Sequence, residues 1–242
     1  MRAFVFALLM PLAACGGGWS DDESPGVPAT GSGGTRNYAV ADFTAVDQRG
    51  PDDVDVRVGA GFSVRAEGDP DVLDKVKIEQ VGDALRIGRV RTAGFNWSSS
   101  SGAKIYVTMP RLTRATLAGS GDMAIDRVEG AAFDGKIAGS GALALGAVAV
   151  ETLQLTIAGS GSVAARGEAA TLGVSIAGSG DVDAAGLTAR GATVKIAGTG
   201  SVKALVDGDA KVSIAGVGDV DLGPKARCQT KKAGSGEVRC GG

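Results

Sequence analysis

Of the residue types that carry chemistry, histidine is missing altogether from these 242 residues. With it go the commonest general base, the commonest metal ligand and the Ser-His and Cys-His forms of nucleophilic catalysis. What remains is Cys15, Cys228 and Cys240, acid at Asp122, Asp181 and Asp219, and the segment Gly119-Ser120-Gly121-Asp122-Met123-Ala124. That segment satisfies a loose Gly-x-Gly-x-x-Ala. A dinucleotide cradle needs one such turn between a strand and a helix; here the glycine pair recurs and no helical pattern follows. Calcium-binding nonapeptides need aspartate where residues 177–183 carry Val182, and their period is half as long. Cys228 and Cys240 lack the Cys-x-x-Cys spacing of thiol redox chemistry. Asp183, Lys195, Lys203 and Lys211 are expected near one another on an outer face, as mixed-sign surface charge. No catalytic residue, cofactor site or metal ligand emerges, and the chain reads as a non-enzyme.

The element that holds these residues is a repeat. Seven times the chain writes Ala-Gly-x-Gly, at Gly119/Gly121, Gly139/Gly141, Gly159/Gly161, Gly178/Gly180, Gly198/Gly200, Gly216/Gly218 and Gly234/Gly236. The steps are 20, 20, 19, 20, 18 and 18 residues, the mark of one unit stacked on itself. Within a unit, Leu153, Leu155 and Ile157 alternate with Thr152, Gln154 and Thr156, as in a strand with one buried face. Continuing that count places both glycines of each pair inward. All fourteen are expected to be turn glycines, where the chain bends and a side chain would not fit. Stacked at the ~4.8 Å inter-strand spacing, such units make a parallel β-helix, an all-β solenoid whose six steps span roughly 30 Å. Hydrophobic content of 44% with only 4% aromatics makes Val, Ile, Leu and Ala the core.

The outward positions then form columns. One is Ser120, Ser140, Ser160, Ser179, Thr199, Val217 and Ser235, beside the alanines that precede each glycine pair. This strip of small residues is the candidate contact ladder. Before it, residues 37–110 lack glycine pairs but show short strands at 41–46, 54–58, 62–66, 76–80, 85–87 and 105–108. They are expected to be irregular coils capping the solenoid, because an open stack of strands invites edge pairing. Phe95 and Trp97 are expected to plug that cap, with a loop tip at 98–101.

The N-terminus reads as an export signal, with Arg2 followed by an apolar stretch too short to span a membrane. Leu12-Ala13-Ala14-Cys15 resembles the lipobox of bacterial lipoproteins, which implies lipidation at Cys15, removal of residues 1–14 and a membrane anchor. Gly16 is not the aspartate of inner-membrane retention, so the expected address is the outer membrane. Residues 15–36, rich in Gly, Ser, Pro and acid, are expected to be a flexible tether, and 37–242 a single domain, regular from 111 onward. In an exported compartment Cys228 and Cys240 are the pair left to form a disulfide clamping the last coil. The net charge of −2 argues against nucleic acid or an anionic membrane surface as an electrostatic partner.

The repeated Gly-Ser-Gly units, with Gly61-Phe62-Ser63-Val64-Arg65 and 81–87 before them, resemble the head GIN domain family, described as an auto-transporter adhesin, over roughly 37–242. The resemblance implies a parallel β-helix in a bacterial envelope protein and offers no catalytic residues. No membrane-embedded translocator barrel is legible in these residues, which leaves anchoring to Cys15. The functional expectation is a lipid-anchored, non-enzymatic binding module with a glycan, matrix or envelope-protein ligand. The alternatives are a self-associating structural component and a carbohydrate-active β-helix enzyme.

Overall fold

The computed structural model describes residues 26–90 and 102–241. The expectations for Cys15, Phe95, Trp97 and 98–101 lie outside the described residues. The fold is nearly all β, as the alternation implied. The first strands are β1 (Ala29–Thr30), β2 (Thr35–Tyr38), β3 (Ala45–Gly50), β4 (Asp53–Val58) and β5 (Ser63–Glu67). One turn of helix, α1 (Pro70–Leu73), is capped by the Asp69 side chain accepting from Asp71 N. Then come β6 (Val76–Val81), β7 (Ala84–Arg89), β8 (Lys104–Met109) and β9 (Arg114–Gly119).

From here each strand is nearly a whole coil: β10 (Met123–Gly139), β11 (Ala142–Gly159), β12 (Ser162–Gly178) and β13 (Asp181–Gly198). The last coils split into β14 (Ser201–Val206), β15 (Asp209–Val217), β16 (Asp219–Asp221), β17 (Arg227–Ser235) and β18 (Val238–Arg239). All successive pairings from β10 onward are parallel, with register shifts confined to the corners after Leu145, Ala164 and Ala184, so Ile137, Ile157, Ile176, Ile196 and Ile214 stack in one column. Met123, Leu143, Val163, Val182, Val202 and Val220 stack in another. Each of these side chains is fully buried, worth about 1.5–3 kcal/mol apiece. Within β10 the alternation of buried and exposed residues breaks at 126–127 and at 129–132. Those are the corners at which the coil turns from one side of the solenoid to the next.

The N-terminal region differs from the expectation in three places. Residues assigned to the tether form β1 and part of β2, with β1 antiparallel to β2 and β2 antiparallel to β5. The glycine-rich stretch between them is a hairpin turn, with Gly31 and Gly33 at φ 111° and 61°, so composition alone mistook a turn for a spacer. The strand expected at 41–46 is shifted to Ala45–Gly50. Asp42 at φ 61° interrupts the chain, and Gln48 occupies a fully buried inward position that the apolar pattern does not reveal. Third, the cap is not only irregular coils. β3 and β4 lie parallel beneath β9 and β10 as genuine coil segments, while antiparallel β2, β5 and β6 close the sheets.

Candidate binding face

The glycine pairs shape the face, and the two glycines of a pair do different work. The first lies at positive φ, between 129° and 154° in all seven units. A Cβ added at Gly139, Gly159, Gly178, Gly198, Gly216 or Gly234 would collide with the carbonyl oxygen of the equivalent glycine one coil below. In the first six units it is half-buried rather than inward, which corrects the parity reading: the missing side chain would point along the stack.

The second glycine is buried in the first six units and sits in the break between consecutive strands, where a side chain would not fit. None of Gly121, Gly141, Gly161, Gly180, Gly200 and Gly218 lies at positive φ, so the backbone path itself does not demand glycine. Space demands it. A Cβ at Gly141 would collide with the Gly121 carbonyl oxygen, one at Gly200 with that of Gly180, and one at Gly218 with that of Gly200. The same Cβ atoms would press on the inward side chains of Leu117, Ile176 and Ile196, as those at Gly161 and Gly180 would on Ile137 and Ile157. Only Gly236, in the last unit, combines the second position with a positive φ of 130°. The column also begins earlier than the repeat, since Gly119 sits on Gly50 and Gly121 on Asp52. Gly50-Pro51-Asp52 is therefore a Gly-x-Gly position without its second glycine.

Aspartate at that inward position needs a partner, and it has one. Arg89 Nε donates to Asp52 Oδ2 at 2.9 Å and Arg89 Nη2 to Oδ1, with both side chains almost wholly buried. Asp52 Oδ1 also accepts from Ala103 N at 2.8 Å. Gln48 Nε2 donates to the carbonyls of Asp52 and Gly50 at 2.6 and 3.0 Å. This polar knot joins cap to solenoid, and it is closed to solvent.

The residues between the glycines all emerge exposed. The structure thus brings Ser120, Ser140, Ser160, Ser179, Thr199, Val217 and Ser235 into one column. Their backbones are locked, as Ser140 N, Ser160 N, Ser179 N and Thr199 N each donate to a glycine carbonyl of the coil below at 2.8–3.0 Å. Thr199 Oγ1 donates to Ser179 Oγ at 3.0 Å. The neighbouring acids have a structural use. Asp122, Asp181 and Asp219 each accept a backbone N–H from the next coil, at Ala142, Ser201 and Glu237, all at 2.8 Å. Among the described residues no three Cys, Asp or Glu side chains gather as a metal-binding group.

Two further placements were not legible. Asp183 pairs in register with Lys203 just after the glycine pairs, whereas Lys195 and Lys211 lie in the segments that lead into the next pairs, beyond the register shift at 184–188; the four are not one cluster. Tyr106 lies on the cap's outer face, with the Arg65 guanidinium 4.9 Å and the Lys104 ammonium 5.5 Å from its ring centre. It floors a shallow depression of about 290 Å³ with Asp55, Arg57, Ser63 and Thr108. At the far end Cys228 and Cys240 are disulfide-bonded, Cα atoms 6.1 Å apart, and Lys232 Nζ donates to Gly236 O at 2.8 Å across the last coil.

The family described as "Putative auto-transporter adhesin, head GIN domain" matches residues 42–226. The chain belongs to this family. Among solved structures, an adhesin described as putative from Bacteroides fragilis superposes with a TM-score of 0.77 at 19% identity, covering 85% of this chain and 95% of that one. An adhesin of the same description from Parabacteroides distasonis gives 0.63 at 19%, over 88% and 97%. A protein from P. distasonis described as a putative lipid binding protein gives 0.58 at 20%, over 88% and 96%. At these identities the likeness speaks to the fold. No curated protein matches the chain. Head GIN membership supports a non-enzymatic, adhesin-like role and suggests an exported or cell-envelope protein. Among the described residues no helix is long and apolar enough to cross a membrane.

Proposed function

We propose that this head GIN protein is a lipid-anchored binding module of the bacterial cell envelope, adhesin-like and non-enzymatic. It is held at the outer membrane through Cys15 and meets its ligand on the flat face built from the C-terminal halves of the coils. The observation that carries this reading is the face itself. Exposed columns of Ser, Thr and Ala stand in register over parallel strands hydrogen-bonded from coil to coil. Such a surface is rigid before contact, so little ordering entropy opposes binding. It is also flat, and so fits an extended glycan, matrix strand or envelope protein better than a small molecule in a pocket.

Binding to glycan and extracellular-matrix arrays tests the face. Ser160→Glu with Ser179→Glu should abolish binding while leaving the thermal unfolding midpoint within a few degrees. Unchanged binding by that folded variant removes the ladder from the contact. Concentration-dependent sedimentation lost with the same substitutions assigns the face to self-association instead. Mass spectrometry of the mature N-terminus tests the anchor, and an unmodified Cys15 thiol removes it. Labelling of intact cells decides whether the face reaches the exterior.

A further inference from the structure

We propose that the ligand of this face is a linear polyanionic glycan, one bearing repeated carboxylate, sulfate or phosphate groups, bound at Lys195, Lys211 and Lys231. The inference rests on the reading of this face as the binding face and names its ligand chemistry. Lys195 and Lys231 both pair in register with Ser213, one strand to either side. Their backbones are therefore about 10 Å apart. Lys211 lies on the central strand two residues before Ser213, between Thr193 and Gln229. All three side chains are exposed. Among the described residues no carboxylate lies within ion-pairing distance of any of them. Two acid–base pairs on this side neutralise themselves, Asp134 with Lys136 at 2.7 Å and Asp209 with Arg227 at 2.9 Å.

Three ammonium groups of one sign, set among Ser, Thr, Gln and Ala, are an electrostatic footprint for an anion. The spread of the three over a flat sheet gives each lysine a separate acid group, which suits a polymer rather than one compact anion. Guarding the sheet edge against pairing accounts for Lys231, on the terminal strand β17. It does not account for Lys195 or Lys211, which lie on strands paired on both sides. The acid-rich side of a second copy is a poor complement. Its Asp181 and Asp219 already accept backbone N–H groups, and Lys203 and Arg239 are interspersed among them.

The test uses the full chain with dextran sulfate and polygalacturonate as probes, uncharged dextran as control, and phosphatidylglycerol vesicles alongside. Both polyanions should bind with an affinity that falls as salt rises, and dextran should not bind. Lys195→Gln with Lys211→Gln and Lys231→Gln should weaken polyanion binding at least about tenfold, while Lys203→Gln on the other side leaves it unchanged. Circular dichroism and the unfolding midpoint report that the variants fold. Polyanion binding indifferent to the triple substitution overturns the proposal, as does binding confined to the vesicles or salt-sensitive self-association alone. Array binding that is lost with Ser160→Glu and Ser179→Glu but kept by the triple variant overturns the lysine assignment and spares the face. Loss with neither set overturns both.

Discussion

The cap and the repeat share a glycine column yet achieve their stability differently. From Gly119 to Gly218 each coil copies the one below and every inward position is apolar or glycine; only the last strand, β17, departs, with Thr230 and Lys232 over Val212 and Ile214. Below Gly119 the same column continues into Gly50, but the second glycine is Asp52, the inward neighbour is Gln48, and four strand pairings are antiparallel. The repeat solves its packing once and reuses the solution. The cap has no copy beneath it to lean on, so it closes with an ion pair, a helical turn and antiparallel edges. Regularity therefore stabilises the middle of a solenoid, while its ends need particular side chains.

That contrast can be broken most sharply at Asp52. Asp52→Ala leaves Arg89 buried without its carboxylate and should cost about 3–5 kcal/mol, measured by denaturant unfolding; a loss below about 1 kcal/mol would deny the knot its role. Next is Gly159→Ala, which sets a Cβ against Gly139 O at φ 135° and should cost about 3 kcal/mol. Its counterpart in the cap, Gly33→Ala, sits at φ 61° with nothing within 4 Å and should cost only about 1–2 kcal/mol. Equal effects would mean that stacking adds nothing to the strain. Cys228→Ser with Cys240→Ser opens a 12-residue separation and should lose about 2–3 kcal/mol. Hydrogen exchange should then rise in β17 and β18 before the rest. Asp181→Ala, which frees one backbone N–H of Ser201, should cost about 1 kcal/mol.

The smallest effect is expected at Tyr38, in the cap. Among the described residues its buried hydroxyl has no hydrogen-bond partner, and burial raises the phenol above its usual value, with Arg36 opposing and Asp74 and Asp52 adding. A raised value means the folded state favours the neutral phenol. The stabilisation is complete below the unfolded-state value and disappears as pH rises through the folded one. Tyr38→Phe should thus be nearly neutral at about pH 7 and should flatten the alkaline loss of stability. An unchanged alkaline limb would place the titration elsewhere.

The repeat was legible because its rules are local. Leu153, Leu155 and Ile157 announce a buried face by parity alone, and the 18–20-residue step announces the stack. The cap was legible only in part. Strands near 54–58, 63–67 and 76–81 carry their own apolar alternation, but β1 and β2 do not. Their register depends on β5 and on a Gly turn that resembles a spacer in composition. Asp52 and Gln48 were invisible for the same reason: a polar residue turns inward only if a distant Arg89 or carbonyl awaits it.

For the candidate face, the amino-acid sequence by itself determined which residues form columns, since a fixed period and a two-residue alternation assign every outward position. It determined the serine ladder and the need for glycine on either side. The tertiary structure decided why each glycine is needed. Positive φ turns the first along the stack, while Gly141, Gly200 and Gly218 follow an ordinary backbone path and stay bare because the coil below fills their space. It also decided which charges are neighbours. A net charge of −2 says nothing of their distribution, and corners in the coil send Asp183 and Lys203 to one side and Lys195 and Lys211 to another. Electrostatic character belongs to a surface, and a surface exists only once the chain has turned its corners.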